Sequence, residues 1–167
     1  MAEQQQQAER MTKADVIEKM QRGRAEWETL IAQVPRERMT EPGVMGEWSV
    51  KDIVAHVTWG EAEITEVFRR HALAGSDLWN LPQDERNAAM VAASRARSLD
   101  DVLAEAERAY PQLLEAVQAL DDDDLNDAAR YADMPPLWRP WQLVAGNTYD
   151  HYPEHIPVIR AWLEGGK

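Results

Sequence analysis

The stretch Trp48-Ser-Val-Lys-Asp-Ile-Val-Ala-His-Val-Thr-Trp59, which runs on to Leu73, decides the fold. Ser49 opens a helix, and Asp52 three residues later stands where a carboxylate can cap the first turn in return. Val50, Ile53, Val54, Val57, Ile64, Val67 and Phe68 then recur at helical spacing and form one apolar stripe. Such a stripe has to be covered by other helices, and the rest of the chain supplies them. This helix is expected to end near Leu73, before Gly75.

Upstream, Thr12 with Asp15 resembles a second cap, and Val16, Ile17, Met20, Gly23, Trp27, Leu30, Ile31 and Val34 keep helical spacing until Pro35. Pro35 to Trp48 is a connector rich in proline and glycine. Downstream, residues 74–83 read as a loop and Asp84 to Ala93 as a short helix, together a long crossover. Ser98 with Asp101 opens a third long helix, with Leu99, Val102, Leu103, Ala106, Tyr110, Leu113, Leu114 and Val117 on its apolar face and Pro111 as a potential kink. Pro140 suits the first turn of a fourth, carrying Leu143, Val144, Thr148, Tyr152, Ile156, Ile159, Trp162 and Leu163 until Gly165-Gly166. No useful strand-like alternation and no fixed-period repeat interrupts this pattern. The expectation is all-α: a four-helix bundle with a long crossover between helices 2 and 3, one domain over residues 12–165, behind a Gln-rich disordered tail over residues 1–11.

Composition narrows the function. The chain has 167 residues, 44% apolar and 29% charged, which suits one globular domain. Its net charge of −12 scatters 18 basic residues among 30 acids, so no phosphate-binding patch forms and nucleic acid is not an expected partner. No apolar run is long enough to span a membrane, and Met1 to Arg10 lacks a signal peptide's apolar stretch, so a cytoplasmic protein is expected. Without cysteine there is no disulfide, thiolate ligand or thiol nucleophile, and any sulfur chemistry must come from a bound small molecule. The acidic run Asp121 to Asp124 reads as a solvated turn with capping oxygens, because a calcium loop needs an interleaved glycine and a distal glutamate.

The candidate chemistry lies in the histidines, of which there are four. His151 and His155 stand four apart, one helical turn, in Asn147-Thr-Tyr-Asp-His-Tyr-Pro-Glu-His-Ile-Pro157, and His56 stands on the second helix. Facing helices of a bundle build metal sites from such inward side chains, and three neutral nitrogens with open positions suit zinc, nickel or iron. His71 lies roughly 22 Å beyond His56 on the same helix and reads as a surface residue. Asp52, Asp150 and Glu154 are candidates to orient an imidazole or accept a proton, and capping is an equal role for Asp52. Trp59, Tyr149 and Tyr152, with Trp48 and Trp141, are candidate walls of a small-molecule pocket, against the competing reading that they are core. In another competing reading His56 is a satisfied core histidine and the pair lies on the surface. Pro153 and Pro157 each remove an amide donor inside the fourth helix, so the helix bends or restarts near Pro153.

Gly46-Glu-Trp-Ser-Val-Lys-Asp-Ile-Val-Ala-His56-Val-Thr-Trp-Gly-Glu61 resembles the second-helix signature of the DinB-like (YfiT-like) superfamily, and His151-Tyr-Pro-Glu-His155 resembles its paired histidines on the last main helix. Asp77-Leu-Trp-Asn-Leu81, Glu85-Arg-Asn87 and the ending Tyr149 to Pro157 look most like the ClbS/DfsB branch. The resemblance implies up-up-down-down connections, frequent homodimers and a divalent metal held by His56, His151 and His155. It also implies activity on an electrophilic small-molecule substrate, by hydrolysis or by transfer of a low-molecular-weight thiol. The ClbS branch implies instead a metal-free protective protein that hydrolyses or sequesters a reactive compound without the histidine triad. A non-catalytic dimeric bundle is the third reading.

Overall fold

The computed structural model describes residues 10–165. Among these the chain is helical, with isolated bridges at Met45–Trp48 and Ala72–Ala132 and no strand. The long elements are α1 (Lys13–Ile31), α2 (Val50–Arg70) and α4 (Leu99–Gln118); α3 (Gln83–Arg95) lies in the crossover, and α5 (Asp122–Asn126), α6 (Pro140–Asn147) and α7 (Tyr152–Gly165) complete the chain. The bundle is formed by α1, α2, α4 and the α6–α7 pair, with α2 lying along α4 and α1 along α7.

The caps do what their spacing requires. The Ser49 hydroxyl accepts the Asp52 amide at 3.2 Å while the Asp52 carboxylate accepts the Ser49 amide at 2.9 Å. Thr12 and Ser98 accept the amides of Asp15 and Asp101, and the acidic run caps α5 through a reciprocal Asp121–Asp124 pair. Every member of the α2 stripe is buried, each contributing about 2 kcal/mol of apolar burial. The helix ends at Arg70, short of Leu73, because His71 turns left-handed at φ 47° and the following amides pair with residue 132 and the last turn instead. His71 is exposed, and its ring stacks on Tyr131 with centroids 5.1 Å apart.

Two apolar clusters make up the core. One gathers Val16, Met20, Phe68, Leu113 and Leu125, and the other Trp27, Ile53, Val57, Val102 and Ile159. Along α1 and α2 the boundary between them falls at Arg24 and Glu61, both buried.

Of the two courses expected for the fourth helix, a bend or a restart near Pro153, the structure shows the restart: α6 stops at Asn147 and α7 starts at Tyr152. Pro153 falls in the first turn of α7, where no amide is needed, whereas within an unbroken helix it would clash with the Tyr149 carbonyl. Pro157 remains inside α7 without an amide to donate. The expected tail lies outside the described residues except for Arg10 and Met11, and at Met11 the expectation is corrected. Met11 is buried, and Asn126 receives its amide at 3.0 Å and donates to its carbonyl at 2.7 Å. Arg10 pairs with Asp123.

Candidate metal centre

α2 carries His56 mid-helix, while the α6–α7 turn places His151 just ahead of α7 and His155 in its first turn. The Nε2 atom of His151 lies 3.0 Å from that of His56 and 3.1 Å from that of His155. One nitrogen from each ring lies within 4.8 Å of the others. The rings meet edge to face, with centroids 4.8 to 5.4 Å apart, and Trp48 closes on His56 edge-on at 5.4 Å.

Electrostatics keeps these rings neutral at physiological pH. Burial, and then the charges His151, His155 and Arg86 would place beside it, push His56 down to about 3. Burial and His151 push His155 down to about 4. Burial also lowers His151, against a smaller opposing pull from the Glu154 carboxylate. Neutral imidazoles are the form that binds a cation. The donor set therefore fits a divalent ion such as zinc, nickel or iron(II), and no carboxylate joins the group as a fourth ligand among the described residues. Each Nδ1 is buried without a hydrogen-bond partner among the described residues, so packing rather than a hydrogen-bonded carboxylate holds the rings in place.

The remaining candidates disperse. Asp52 is buried at the start of α2, with Oδ2 occupied by the Ser49 cap and Arg95 at 3.9 Å, facing a hollow that Thr40 and Glu47 also line. Asp150 and Glu154 are exposed, and of the two Glu154 acts on the cluster, through its charge on His151. Trp59 is half-buried and packs against Trp79 with centroids 4.8 Å apart and the rings tilted by 39°. Tyr149 packs over Gly23 of α1, and burial raises its hydroxyl to about 12. Tyr152 and Tyr149 border a hollow of about 320 Å³ against Gly23 of α1, which does not include the histidines. Tyr152 is fully buried, stacked on Trp27 at 5.6 Å, and its hydroxyl donates to Glu61 at 2.5 Å.

That last contact belongs to a network the sequence reading missed. Glu61 accepts Arg24 at 3.0 Å, and Arg24 also reaches Glu28 at 2.8 Å and lies over the Tyr110 ring at 4.7 Å. Burial pushes the Glu61 carboxyl up, while the Arg24 charge and the Tyr152 hydroxyl favour its anion. The available signal was a charged residue inside each of two apolar stripes: Arg24 between Met20 and Trp27, and Glu61 between Val57 and Ile64. The network ties α1, α2 and α7 together beside the histidines.

The cavity of about 500 Å³ bordered by Glu63, Leu73, Trp79, Trp138, Leu143 and Asn147 does not include the histidines. It starts about 10 Å further along α2 than His56.

Solved structures share the fold. An uncharacterised protein from Escherichia coli UTI89 superposes with a TM-score of 0.72 at 16% identity, covering 92% of this chain and 94% of that one. A protein from Streptococcus pneumoniae gives 0.72 at 15% identity, covering 92% and 91%. Both share the all-helical bundle fold. No curated protein matches the sequence. No helix among the described residues is long and apolar enough to cross a membrane. The family model for the mycothiol maleylpyruvate isomerase N-terminal domain matches residues 20–149, which takes in His56 and stops just before His151. With most of its length so matched, the chain belongs to the mycothiol maleylpyruvate isomerase N-terminal domain family, on a DinB/YfiT-like all-helical fold.

Proposed function

We propose that the protein is a divalent-metal-dependent enzyme acting on an electrophilic small molecule, with His56, His151 and His155 as ligands and a low-molecular-weight thiol as the nucleophile. The observation that carries this reading is the meeting of three neutral imidazole nitrogens within 4.8 Å. A bound ion there supplies Lewis acidity and lowers the pKa of a water or thiol beside it. The chain's own side chains do the rest. Trp48 restricts the His56 ring and keeps water from that side, the buried Arg24–Glu61–Tyr152 network fixes α7 against α2, and exposed Glu154, whose charge acts on His151, is the carboxylate to take a proton. Since the chain has no cysteine, the sulfur is brought in, in keeping with a mycothiol-related family.

A second reading, a metal-free protective protein of the ClbS type, is favoured by one observation: the aromatic cavity of about 500 Å³ lies apart from the histidines. Elemental analysis of tag-free protein prepared without chelator separates the two. About one zinc, nickel or iron per chain is expected, lost in His56→Ala and in the His151→Ala, His155→Ala double variant. Protein that takes up no metal even after soaking defeats the enzyme reading and favours the cavity.

A further inference from the structure

Glu63 stands apart among the carboxylates of α2. Asp52 caps the helix, Glu61 pairs with Arg24, and Glu66 pairs with Arg69 and Arg70. Half-buried Glu63 pairs with no base among the described residues, yet its carboxylate is fixed in place. Its Oε2 accepts the Ser76 amide at 2.7 Å and the Trp79 indole N–H at 2.8 Å. Gly75 makes room for that arrangement, since a Cβ there would come within 2.7 Å of the same oxygen and 2.5 Å of the Trp79 Cδ1. Both hydrogen bonds fall on one oxygen, so Oε1 has no donor among the described residues.

The same carboxylate is the one charged side chain bordering the cavity of about 500 Å³, a size typical of small-molecule sites. Buried Ile64 and Val67, with Leu143, give that cavity an apolar lining. Trp79 is engaged, packed against Trp59 and 5.0 Å from the Arg86 guanidinium, which does not border the cavity. Trp138 is the open ring: it is 43% exposed and has no aromatic or cationic partner among the described residues. An ammonium group would give Oε1 the charge-assisted hydrogen bond it lacks, and the indole face of Trp138 would add its own attraction for the cation. Hydrocarbon attached to that ammonium would cover the apolar lining, whereas an anion would be repelled by Glu63. We propose that this cavity binds a small organic cation, an ammonium carrying an apolar chain or ring, with Glu63 as its counter-ion. The site is separate from the histidines and stands whether or not they hold a metal.

The test titrates the whole chain with 4-phenylbutylamine and 4-phenylbutan-1-ol, which differ only in the terminal group, and follows binding by calorimetry. Wild type is expected to bind the amine about tenfold more tightly than the alcohol. In E63Q the carboxamide oxygen still accepts from Ser76 and Trp79 while its NH2 takes the place of Oε1, so the preference is expected to vanish with alcohol binding unchanged. Trp138→Ala, on the exposed rim, is expected to weaken both probes alike. Wild type that binds neither probe, or both equally, overturns the site. So does a preference for the amine that survives in E63Q, which would put the amine elsewhere, such as on an ion at the histidines. A Trp138→Ala protein that binds both probes as wild type does overturns it as well, and none of these results touches the histidine reading.

Discussion

α2 and the α6–α7 pair contribute ligands to the same cluster by opposite routes. α2 is one continuous helix whose cap, stripe and histidine follow from a single period. The other side is broken, yet it sets two imidazoles as well as an unbroken helix would, because of where the break falls. Thr148 leaves helical geometry at φ −135° and ψ −105°, but the Tyr152 amide already donates to the Thr148 carbonyl at 2.8 Å, a helical bond. The interruption thus precedes His151 and does not separate it from His155. A four-residue spacing survives a proline-induced break when the helix nucleates again ahead of the pair.

If that is how the two sides meet, the largest effect comes from cutting the tie between them. Tyr152 fills core volume against Trp27 and donates to Glu61. Tyr152→Ala is expected to cost about 3–5 kcal/mol in urea unfolding. Tyr152→Phe keeps the ring, leaves Glu61 short of one donor, and is expected to cost about 1–3 kcal/mol. A Phe variant as stable as wild type would show that packing alone joins α7 to α2.

Acid attacks the place where both sides converge. An unfolded histidine takes up its proton near 6.5, but folded His56 resists until about 3 and His155 until about 4. The unfolded chain then binds more protons, so stability present above pH 6.5 is lost as the pH falls below it. At pH 5.5 the loss is about 1.4 kcal/mol for each of the two in metal-free protein. The check is chelator-treated wild type against a His56→Ala, His155→Ala variant, unfolded in urea at pH 7.5 and 5.5, since the variant carries the background charge effect. Parallel profiles would mean that these imidazoles are not held neutral.

What the sequence made legible follows the same division. On α2 local signals and tertiary packing agree: Ser49 and Asp52 cap, Val50 to Phe68 bury, and His56 lies where the period puts it. The meeting of the three histidines was legible too, since spacing put two on one face and the bundle brought the third. The break was legible only as a bend or a restart near Pro153; that it begins at Thr148 was not, because hydrogen bonds from Thr148 to Val144 and from Asp150 to Ala145 decide it. The full burial of Tyr152 was not legible, because it depends on the unforeseen Arg24–Glu61 pair that its hydroxyl completes. Met11 read as tail because Asn126, which pairs with its backbone, is remote in sequence.

The smallest expected effect isolates the broken side. Gly23 lies inside α1, where alanine would ordinarily gain about 1 kcal/mol of helix propensity. Here a Cβ would come within 3.0 Å of the Tyr149 Cβ and 3.1 Å of its Cα. These atoms belong to the backbone and the stem of the side chain, so the whole turn has to move, at a strain of about 1–3 kcal/mol. Strain exceeds propensity, and Gly23→Ala is expected to lose about 1 kcal/mol. Because Tyr149 is two residues from His151, the shift also displaces that ring while leaving His56 and its capped helix untouched, so Co(II) affinity falls by more than stability alone would carry. A Gly23→Ala protein that gains stability and keeps its metal affinity would show that the turn does not rest on α1, and that the paired histidines are positioned by α7 alone.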